Sequence, residues 1–297
     1  MKIGTHGYFA YKSIKTVVFA PNAAASDGSF VMMSANIRRK DKWFARNKFD
    51  IGDHRWYRRA RSFLQTIAEI QPDLFGSQEA QPEQFKFLSE HLKGYGSVTG
   101  YRDNNGARSE SCPIFYNEAR FELLSGGVFW LSETPDVMSI SWKEGGEHRV
   151  ATVAELKDKK TGDVIAAINS HPDFEPPATC KKEIEVIAAK AAAMLAKGDK
   201  VVVFGDLNAD IHTAEGAEIL SPLDAVLTNA VAIAGTDYGY TFNGYDLKPH
   251  EELDYFFFSE GAEVLTLGKF DKTYNGVFPS DHFPIYTKVR FGKKEKA

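Results

Sequence analysis

Nine apolar segments of strand length dominate this sequence, and several follow one another with no helix between them. They lie at residues 30–35, 74–77, 114–116, 127–131, 150–156, 164–169, 201–205, 253–258 and 284–289. Helical periodicity is confined to residues 54–70, 82–92 and 181–196. A doubly wound parallel sheet would alternate strand and helix strictly. The order of segments therefore predicts an α/β fold in which mixed sheets pack together and the helices lie outside.

The length and composition predict one globular domain. No internal repeat or low-complexity linker divides the 297 residues, so we expect a single domain over residues 1–297 with its core at about 30–291. Hydrophobic residues make up 43% and charged residues 26%, values that argue against disorder. The formal net charge of −4 gives no general attraction for a polyanion. A nucleic-acid substrate would therefore need a local basic patch or a metal ion.

The sequence favours a cytoplasmic protein. It has no apolar run of membrane-spanning length, and two cysteines, Cys112 and Cys180, make no disulfide framework. Residues 16–20 followed by three alanines at 23–25 resemble an export signal, but this apolar core is short and interrupted by lysines. We therefore expect a cytoplasmic protein, with an exported form as the alternative. Residues 293–296 are expected to be a solvated tail.

Polar residues with chemical potential lie at the ends of these strands. The set comprises Asn36, Glu79, His171, Asp206, Asn208, Asp281 and His282, with Asp254 inside an apolar strand. Strand alternation points Asp206 and Asn208 to the same side, so both can face one ligand. A buried acid such as Asp254 costs several kcal/mol unless it is paired. Each residue alone could be a turn, a cap or a local salt bridge, but their shared position indicates one site.

The residue types in this set suit hydrolysis of a phosphodiester. Carboxylate and amide oxygens without thiolates indicate Mg²⁺ or Mn²⁺, and Glu79 with Asn36 and Asp281 supplies enough protein ligands for magnesium. Histidines can then donate to the phosphate, and an acidic partner can keep an imidazole protonated.

Seven segments, in this order, resemble the endonuclease/exonuclease/phosphatase (deoxyribonuclease I-like) superfamily. They are 34–38 (SANIR), 76–79 (GSQE), 112–116 (CPIFY), 169–173 (NSHPD), 205–208 (GDLN), 252–255 (ELDY) and 280–284 (SDHFP). This superfamily includes pancreatic-type deoxyribonucleases, abasic-site endonucleases, sphingomyelinases, inositol polyphosphate 5-phosphatases and deadenylases. Residues 127–135 (GVFWLSETP) resemble a bacterial branch that is loosely similar to deadenylases.

The resemblance implies a fold and a metal site. The fold is a four-layer sandwich, in which two packed mixed β-sheets are flanked by helices and the site lies at one edge of the sheets. Glu79 and Asn36 match the family's metal ligands, and Asp281 matches a second one. Mg²⁺ is the implied cofactor, with Mn²⁺ as a substitute.

The resemblance also implies catalytic roles. Asp206 matches the acid that orients or deprotonates the attacking water, and Asn208 matches an amide that contacts the phosphate. His282 matches the histidine that binds the scissile phosphate, with Asp254 as its carboxylate partner. His171 matches a histidine that acts as acid or phosphate donor in deoxyribonuclease- and sphingomyelinase-like members.

Substrate contacts are less determined than the catalytic set. Candidate contacts are Arg38, Arg102 and Arg108, and the wider basic rim adds Arg55, Arg58 and Arg59. Arginine mixed with Trp and Tyr in residues 54–61 is typical of nucleic-acid surfaces. The alternative is an ordinary exposed helix face whose Trp56 packs inward. Pro172 after the site histidine and Glu252, where arginine is frequent, depart from the family pattern at positions that can affect substrate contacts.

Together these features predict a hydrolase that acts on phosphoric ester bonds. The leading expectation is a magnesium-dependent phosphodiesterase, a nuclease acting on DNA or RNA. The first alternative is a phosphatase or phosphodiesterase for a small phosphorylated metabolite or a lipid headgroup. An alternative of another class is a non-catalytic module that binds a phosphate ligand, although no catalytic-type residue is missing. The sequence implies no protein partner.

Overall fold

Twelve strands form two six-stranded sheets in the computed structural model, which describes residues 27–40, 51–142, 146–246 and 248–292. The first sheet contains β1 (Phe30–Asn36), β2 (Leu74–Gln78), β3 (Tyr95–Val98), β4 (Ile114–Asn117), β11 (Ala262–Lys269) and β12 (Ile285–Phe291). The second contains β5 (Phe121–Trp130), β6 (Val150–Asp158), β7 (Val164–Ser170), β8 (Lys200–Asp206), β9 (Thr228–Asn229) and β10 (Asp254–Phe258). The segments at 16–25 and 293–296, interpreted above as a weak export signal and a tail, lie outside the described residues.

Both sheets are mixed. The strand orders are β11-β12-β1-β2-β4-β3 and β5-β6-β7-β8-β10-β9. In each sheet one central pair is parallel, β1 with β2 and β7 with β8. The neighbouring pairs are antiparallel, including β1 with β12 and β8 with β10. The carboxyl ends of β1, β2, β7 and β8 can therefore present the residues that follow them at one edge of each sheet.

The described part of the chain has five helices, of which four cover the outer faces of the sheets and the last packs against the core between them. They are α1 (Trp56–Ile70), α2 (Pro82–His91), α3 (Pro177–Ala196), α4 (Ala214–Asp224) and the short α5 (Ala230–Ala234). Single 3₁₀ turns lie at Gly52–His54 and Gly106–Arg108. No helix within the described ranges is both long and apolar enough to cross a membrane.

Strand alternation explains how four layers form. Along β8, Val202 and Phe204 enter the core between the two sheets, whereas Val201 and Val203 pack against α3 and α4. Along β1, Met32 faces the second sheet and Met33 faces α1 and α2. Strands buried on both faces read as continuous apolar runs, which is the pattern seen in the sequence. The α/β four-layer sandwich expected from the sequence is confirmed.

The element boundaries differ from the sequence expectations in several places. All nine expected strands form, but the one expected at 127–131 begins at Phe121. The first helix begins at Trp56, after a 3₁₀ turn, and α3 begins at Pro177, four residues earlier than expected. The sequence pattern missed β3, β9, β11, α4 and α5. The single-domain extent over residues 1–297 stays a prediction.

Candidate active site

The predicted site residues lie where the two sheets meet at one edge. Because Val202 and Phe204 face the core between the sheets, alternation puts Asp206 on the same side at the end of β8. Phe256 and Phe258 place Asp254 in the same way at the start of β10. Asp206 and Asp254 are direct antiparallel partners. Two like charges facing each other across strands would be destabilising unless a third group compensates them.

His282 is the group that compensates these two acids. Its Nδ1 donates to Asp254 Oδ2 at 2.8 Å, and its Nε2 lies 3.5 Å from Asp206 Oδ2. Burial alone would lower the pKa of His282, but the Asp254 and Asp206 carboxylates outweigh it and raise this pKa to about 10. His282 is therefore a buried imidazolium at neutral pH, with both ring nitrogens protonated.

Asp206 is the centre of the contacts within the site. Its Oδ2 accepts from Asn36 Nδ2 at 2.9 Å and lies 3.6 Å from His171 Nε2. Burial raises the pKa of Asp206, and His282 and His171 oppose that shift. The side chain is 1% exposed. A nearly dry carboxylate facing two imidazoles is well placed to accept a proton from a small molecule bound between them.

Asn36 connects this carboxylate to Glu79. Asn36 Nδ2 also approaches Glu79 Oε1 at 3.2 Å, and Glu79 Oε2 accepts from the Arg39 amide at 2.9 Å. Burial would raise the pKa of Glu79, but the positive charge of the Arg38 guanidinium and the hydrogen bond from the Arg39 amide N outweigh it, so this pKa is well below its usual range. Glu79 is therefore anionic, and the Asn36 amide joins it to the Asp206 carboxylate.

These residues fit a hard divalent cation. Glu79 and Asp206 are two carboxylates held near each other by a single amide, and every donor is oxygen or imidazole. Asp206, Asp254 and His282 also have ligand-type atoms within 4.8 Å of one another. In that trio, however, the His282 Nδ1 is already bonded to Asp254. The Glu79 side of the cluster is therefore the better place for an ion.

Arg38 joins Asp281 to this group. Its Nε lies 3.6 Å from Asp281 Oδ2, and its NH1 lies 3.8 Å from Glu79 Oε2. Asp281 is 3% exposed and also accepts from Ser280 Oγ at 3.1 Å. Asp281 and Glu79 therefore lie beside the same Arg38 guanidinium.

Three residues of the site have a left-handed backbone. The φ angles of Arg38, Glu79 and Asn208 are 50°, 60° and 50°. Such conformations cost free energy for residues other than glycine, and they persist where the surroundings fix them. The loops after β1, β2 and β8 are thus held in unfavourable conformations at the same place.

The orientation of Asn208 departs from the sequence expectation. The strand ends at Asp206, so extended alternation does not continue to Asn208. Instead the chain turns, the Asn208 amide N donates to Asp206 Oδ1 at 3.1 Å, and Asn208 Nδ2 donates to the Pro172 carbonyl at 2.9 Å. Asn208 therefore remains beside Asp206 but ties it to the His171 loop. The two residues are close, as expected, but a turn brings them together and strand alternation does not.

A layer of buried polar side chains connects the two sheets next to the site, and the sequence did not reveal its function. Gln78 Nε2 donates across to Asn169 Oδ1 of the second sheet at 2.7 Å and, within the first sheet, to Ser34 Oγ at 3.2 Å. Asn169 Nδ2 donates to the Ser77 and Pro113 carbonyls at 3.0 and 2.9 Å. These bonds fix the spacing of the two sheets directly under the site. Amides at strand ends, on the same strand face as the core residues Leu74 and Ala167, were the available signal.

A second buried network, also missed from the sequence, supports the His171 loop. Arg149 NH2 lies 3.2 Å from Asp173 Oδ1, and the Asp173 amide N donates to Glu183 Oε2 at 2.5 Å. Burial lowers the pKa of His171 to about 4, with Arg149 adding to the effect against Asp206. His171 is therefore neutral at pH 7, in contrast to His282.

Glu183 gives this network a measurable dependence on pH. Burial raises its pKa to about 7, from about 4.5 in the unfolded chain. A raised carboxyl pKa means that the folded state binds the extra proton, so the contribution is complete below pH 4.5 and disappears as pH rises through 7. Relative to the wild type, Glu183→Gln should gain up to about 3 kcal/mol in the free energy of unfolding between pH 5 and pH 8. Urea denaturation at several pH values measures this difference.

A constant difference between Glu183→Gln and wild type across that range would contradict the predicted proton linkage. Glu185→Gln on the same helix is the control, since Glu185 is exposed and should show no such trend.

The expected basic rim is only partly available for a substrate. Arg59 is fully buried and donates to the carbonyls of His54, Ile37, Pro279 and Arg38, so its assignment to the rim was wrong. Arg58 pairs with Asp53 at 2.9 Å. Trp56 packs inward at 1% exposure, as the alternative interpretation of this helix expected. Arg108 lies exposed on its 3₁₀ turn.

Residues 33–282 match the family model described as the Endonuclease/Exonuclease/phosphatase family. This match contains every residue of the site described above, from Asn36 to His282.

Solved structures with the same fold include bacterial proteins. An endonuclease/exonuclease/phosphatase family protein from Bacteroides thetaiotaomicron is 27% identical, with a TM-score of 0.78 over 91% of this chain and 97% of that chain. The mannosyl-6-phosphatase of the same organism is 26% identical, with a TM-score of 0.75 over 88% of this chain and 100% of that chain.

Among curated proteins, the chain resembles the CCR4-Not complex 3'-5'-exoribonuclease subunit Ccr4 of Debaryomyces hansenii. The two are 23% identical over 303 residues, which cover 80% of this chain and 36% of that longer protein. The chain spans about 60% of the length of a curated mimivirus relative.

Proposed function

The chain belongs to the endonuclease/exonuclease/phosphatase family, and from this membership we propose that it is a divalent-metal-dependent hydrolase of phosphoric esters. One observation carries the proposal. A nearly dry Asp206 contacts a protonated His282 and a neutral His171 while Asn36 joins it to the Glu79 carboxylate. This arrangement offers a proton acceptor, a positive donor and an oxygen-rich ion site within one pocket.

Glu79 would hold the metal ion through its carboxylate and Asn36 through Oδ1, the amide atom that accepts from the Arg38 N–H in this structure. Asp281, whose Oδ2 lies 3.6 Å from Arg38 Nε, is the further acid that we propose as a ligand. Mg²⁺ is the ion we propose, and Mn²⁺ would be an acceptable replacement because both prefer oxygen ligands. When bound, such an ion neutralises charge on the phosphoryl oxygens. The low pKa of Glu79 keeps this ligand anionic without a proton to displace.

The remaining residues act on the water and the phosphate. Asp206 would accept a hydrogen bond from the attacking water and so orient it toward phosphorus. His282, held protonated by Asp254, would donate through Nε2 to a phosphoryl oxygen. His171, neutral and facing the same carboxylate, would hold the far side of the phosphate, and Asn208 would steady the loop between them.

The direct test is hydrolysis of bis(p-nitrophenyl) phosphate and p-nitrophenyl phosphate with Mg²⁺, with Mn²⁺ and with EDTA. We expect turnover with either ion and its loss with the chelator. Tight binding of phosphate esters without turnover of any ester would instead support a non-catalytic binding module.

Removing the Glu79 charge should weaken metal binding. Glu79→Gln is expected to reduce Mn²⁺ affinity about tenfold or more, because the substitution removes the anionic ligand and leaves its shape. Isothermal titration of the purified protein measures the affinity without any assay of activity. Glu83→Gln is the matched control, since Glu83 is an exposed acid that pairs with Lys40. Equal Mn²⁺ affinity in the Glu79 variant and wild type would place the ion elsewhere.

The substrate class has two candidates, and we infer that a small phosphorylated compound is the better one. The structure leaves few of the expected rim arginines for a polyanion, since Arg59 is buried and Arg58 is paired. The net charge of −4 gives no compensating field. Similarity to a mannosyl-6-phosphatase at 26% identity agrees with this choice. A nuclease acting on DNA or RNA is the second candidate, which the similarity to an exoribonuclease subunit favours.

Salt dependence separates these two candidates. For a small ester we expect KM to change by less than about threefold between roughly 50 and 200 mM salt, because few phosphates are neutralised. An oligonucleotide bound along a basic groove would lose affinity by about a hundredfold or more over that range. Steady-state kinetics on a dinucleotide, a 20-nucleotide strand and a sugar phosphate supply the comparison. A steep salt dependence confined to the long strand, together with the highest kcat/KM on it, would favour the nuclease.

A further inference from the structure

A small recess opens beside the site, on the side of Glu79 and His171. Its walls include Arg102, Glu110 and Arg149 in addition to those two residues. It has room for roughly one water-sized group. A group that enters it must therefore be small and attached to something held at Glu79 and His171.

The polar side chains of this recess form ion pairs with one another and with their neighbours, but these pairs leave two buried N–H donors unsatisfied. Arg102 NH1 lies 3.2 Å from Glu110 Oε2, and Arg39 NH1 lies 3.3 Å from Glu110 Oε1. Arg149 NH2 pairs with Asp173. Among the described residues, the buried Nε atoms of Arg102 and Arg149 have no hydrogen-bond partner. Unsatisfied buried donors are costly, and a ligand atom can satisfy them.

The backbone around the recess is rigid. Trp130 Nε1 donates to the Arg102 carbonyl at 2.8 Å, and the Arg102 amide N donates to the Glu110 carbonyl at 2.9 Å. Ser111 and Ala80 exchange backbone hydrogen bonds and so tie this segment to the loop that carries Glu79. The donors and acceptors are thus held in place before any ligand binds.

The charges of the recess select the kind of group that can enter. An anionic group would meet the Glu110 carboxylate, and a cationic group would meet the guanidiniums of Arg102 and Arg149. A hydroxyl avoids both conflicts, because it donates to a carboxylate and accepts from an arginine at the same time.

We propose that this recess binds a neutral hydroxyl group that the substrate carries next to its phosphoester. The proposal rests on the proposed function, because the ion at Glu79 and the His171 imidazole must hold the phosphate for the neighbouring group to reach Arg102, Glu110 and Arg149. The substrate is therefore a phosphorylated polyol or sugar. Arg102, Glu110 and Arg149 determine specificity.

Four esters of matched size test this inference. They differ only in the terminal group of a short chain: 2-hydroxyethyl phosphate, propyl phosphate, 2-aminoethyl phosphate and phosphoglycolate. A hydrogen bond to charged groups corresponds to roughly a 10- to 100-fold preference. We expect the hydroxyl compound to bind with that advantage over the methyl compound, and the ammonium and carboxylate compounds to bind no better than the methyl one. Isothermal titration of the Mn²⁺-loaded protein measures binding, and kcat/KM is measured in parallel.

Variants locate the preference in the recess. Glu110→Gln removes the charged acceptor and should reduce the hydroxyl-to-methyl ratio to less than about threefold. Arg102→Lys, which keeps a charge but changes the donor geometry, should reduce the same ratio and serves if the first variant does not fold. Glu263→Gln is the matched control, because Glu263 forms an exposed pair with Arg290 on β11 and β12 and should leave the ratio unchanged.

The outcomes distinguish this inference from the proposed function. Absence of hydrolysis of every ester, including p-nitrophenyl phosphate, contradicts the proposed function, whereas the binding ratio still decides the role of the recess. Equal affinity for the hydroxyl and methyl compounds, a preference for the ammonium or carboxylate compound, or no measurable binding of 2-hydroxyethyl phosphate overturns the inference. The same holds if Glu110→Gln and Arg102→Lys both keep the wild-type ratio.

Discussion

Replacing Asp206 by Asn should lower kcat/KM for phosphoester hydrolysis by about 10²–10⁴. The substitution keeps the shape of the side chain but removes the charge that faces His171 and His282 at 3.6 and 3.5 Å. An amide cannot accept the proton of the attacking water. His282 also loses one of the two carboxylates that raise its pKa, so part of the loss comes from weaker stabilisation of the phosphate.

His282→Ala should cause a loss of similar size through a different step, because it removes the positive donor and leaves Asp254 buried without its partner. Steady-state kinetics on p-nitrophenyl phosphate, with circular dichroism to confirm folding, measures both effects. Asp163→Asn is the control, since Asp163 lies in the turn at the opposite end of β7. Wild-type rates in the Asp206 and His282 variants would rule out this catalytic arrangement.

Gly205→Ala should destabilise the fold by roughly 3–5 kcal/mol. Gly205 has a φ of 145°, and a Cβ at this position would lie 2.1 Å from the Ser170 carbonyl oxygen. Backbone on the neighbouring strand cannot yield as a flexible side chain would. The displaced Ser170 directly precedes His171, so residual folded protein should also have reduced activity. Urea denaturation gives the change in the free energy of unfolding.

Gly127→Ala is the matched control for this substitution. Gly127 also lies in a strand of the second sheet, has no positive φ, and a Cβ there would meet nothing within 4 Å. We expect its stability to remain within about 1 kcal/mol of wild type. Unfolding of the Gly205 variant at the wild-type urea concentration would show that the strand pair can separate without cost.

The layered fold could be predicted because core positions repeat with a strand period. Val201 to Phe204 form a run buried on both faces, and such a run indicates a central strand wherever it occurs. β11 escaped prediction because it is an edge strand whose residues are only partly buried. α4 contains Gly216 and Pro222, which weaken a local helix signal, and tertiary packing of Ile219, Leu220 and Leu223 supplies its stability.

The members of the site could be predicted from residue types at strand ends, whereas their supporting contacts could not. The Asp254–His282 bond joins residues 28 positions apart, and the Gln78–Asn169 bond joins residues 91 positions apart. No local pattern specifies such pairs. Arg149 was missed because a single arginine before a strand forms no recognisable sequence pattern. Its role depends on an ion pair with Asp173, which follows a different strand. The roles themselves remain predictions for the variants above.

Both sheets contribute residues to the candidate active site, and these residues come from near both ends of the described chain. Asn36 ends β1, and His282 lies shortly before β12, the strand that pairs with β1. A ribosome must therefore release almost the whole of this fold before the proton acceptor, the imidazolium and the amide bridge can meet. Under the proposed function, we expect the newly made polypeptide to stay inactive until β12 is added.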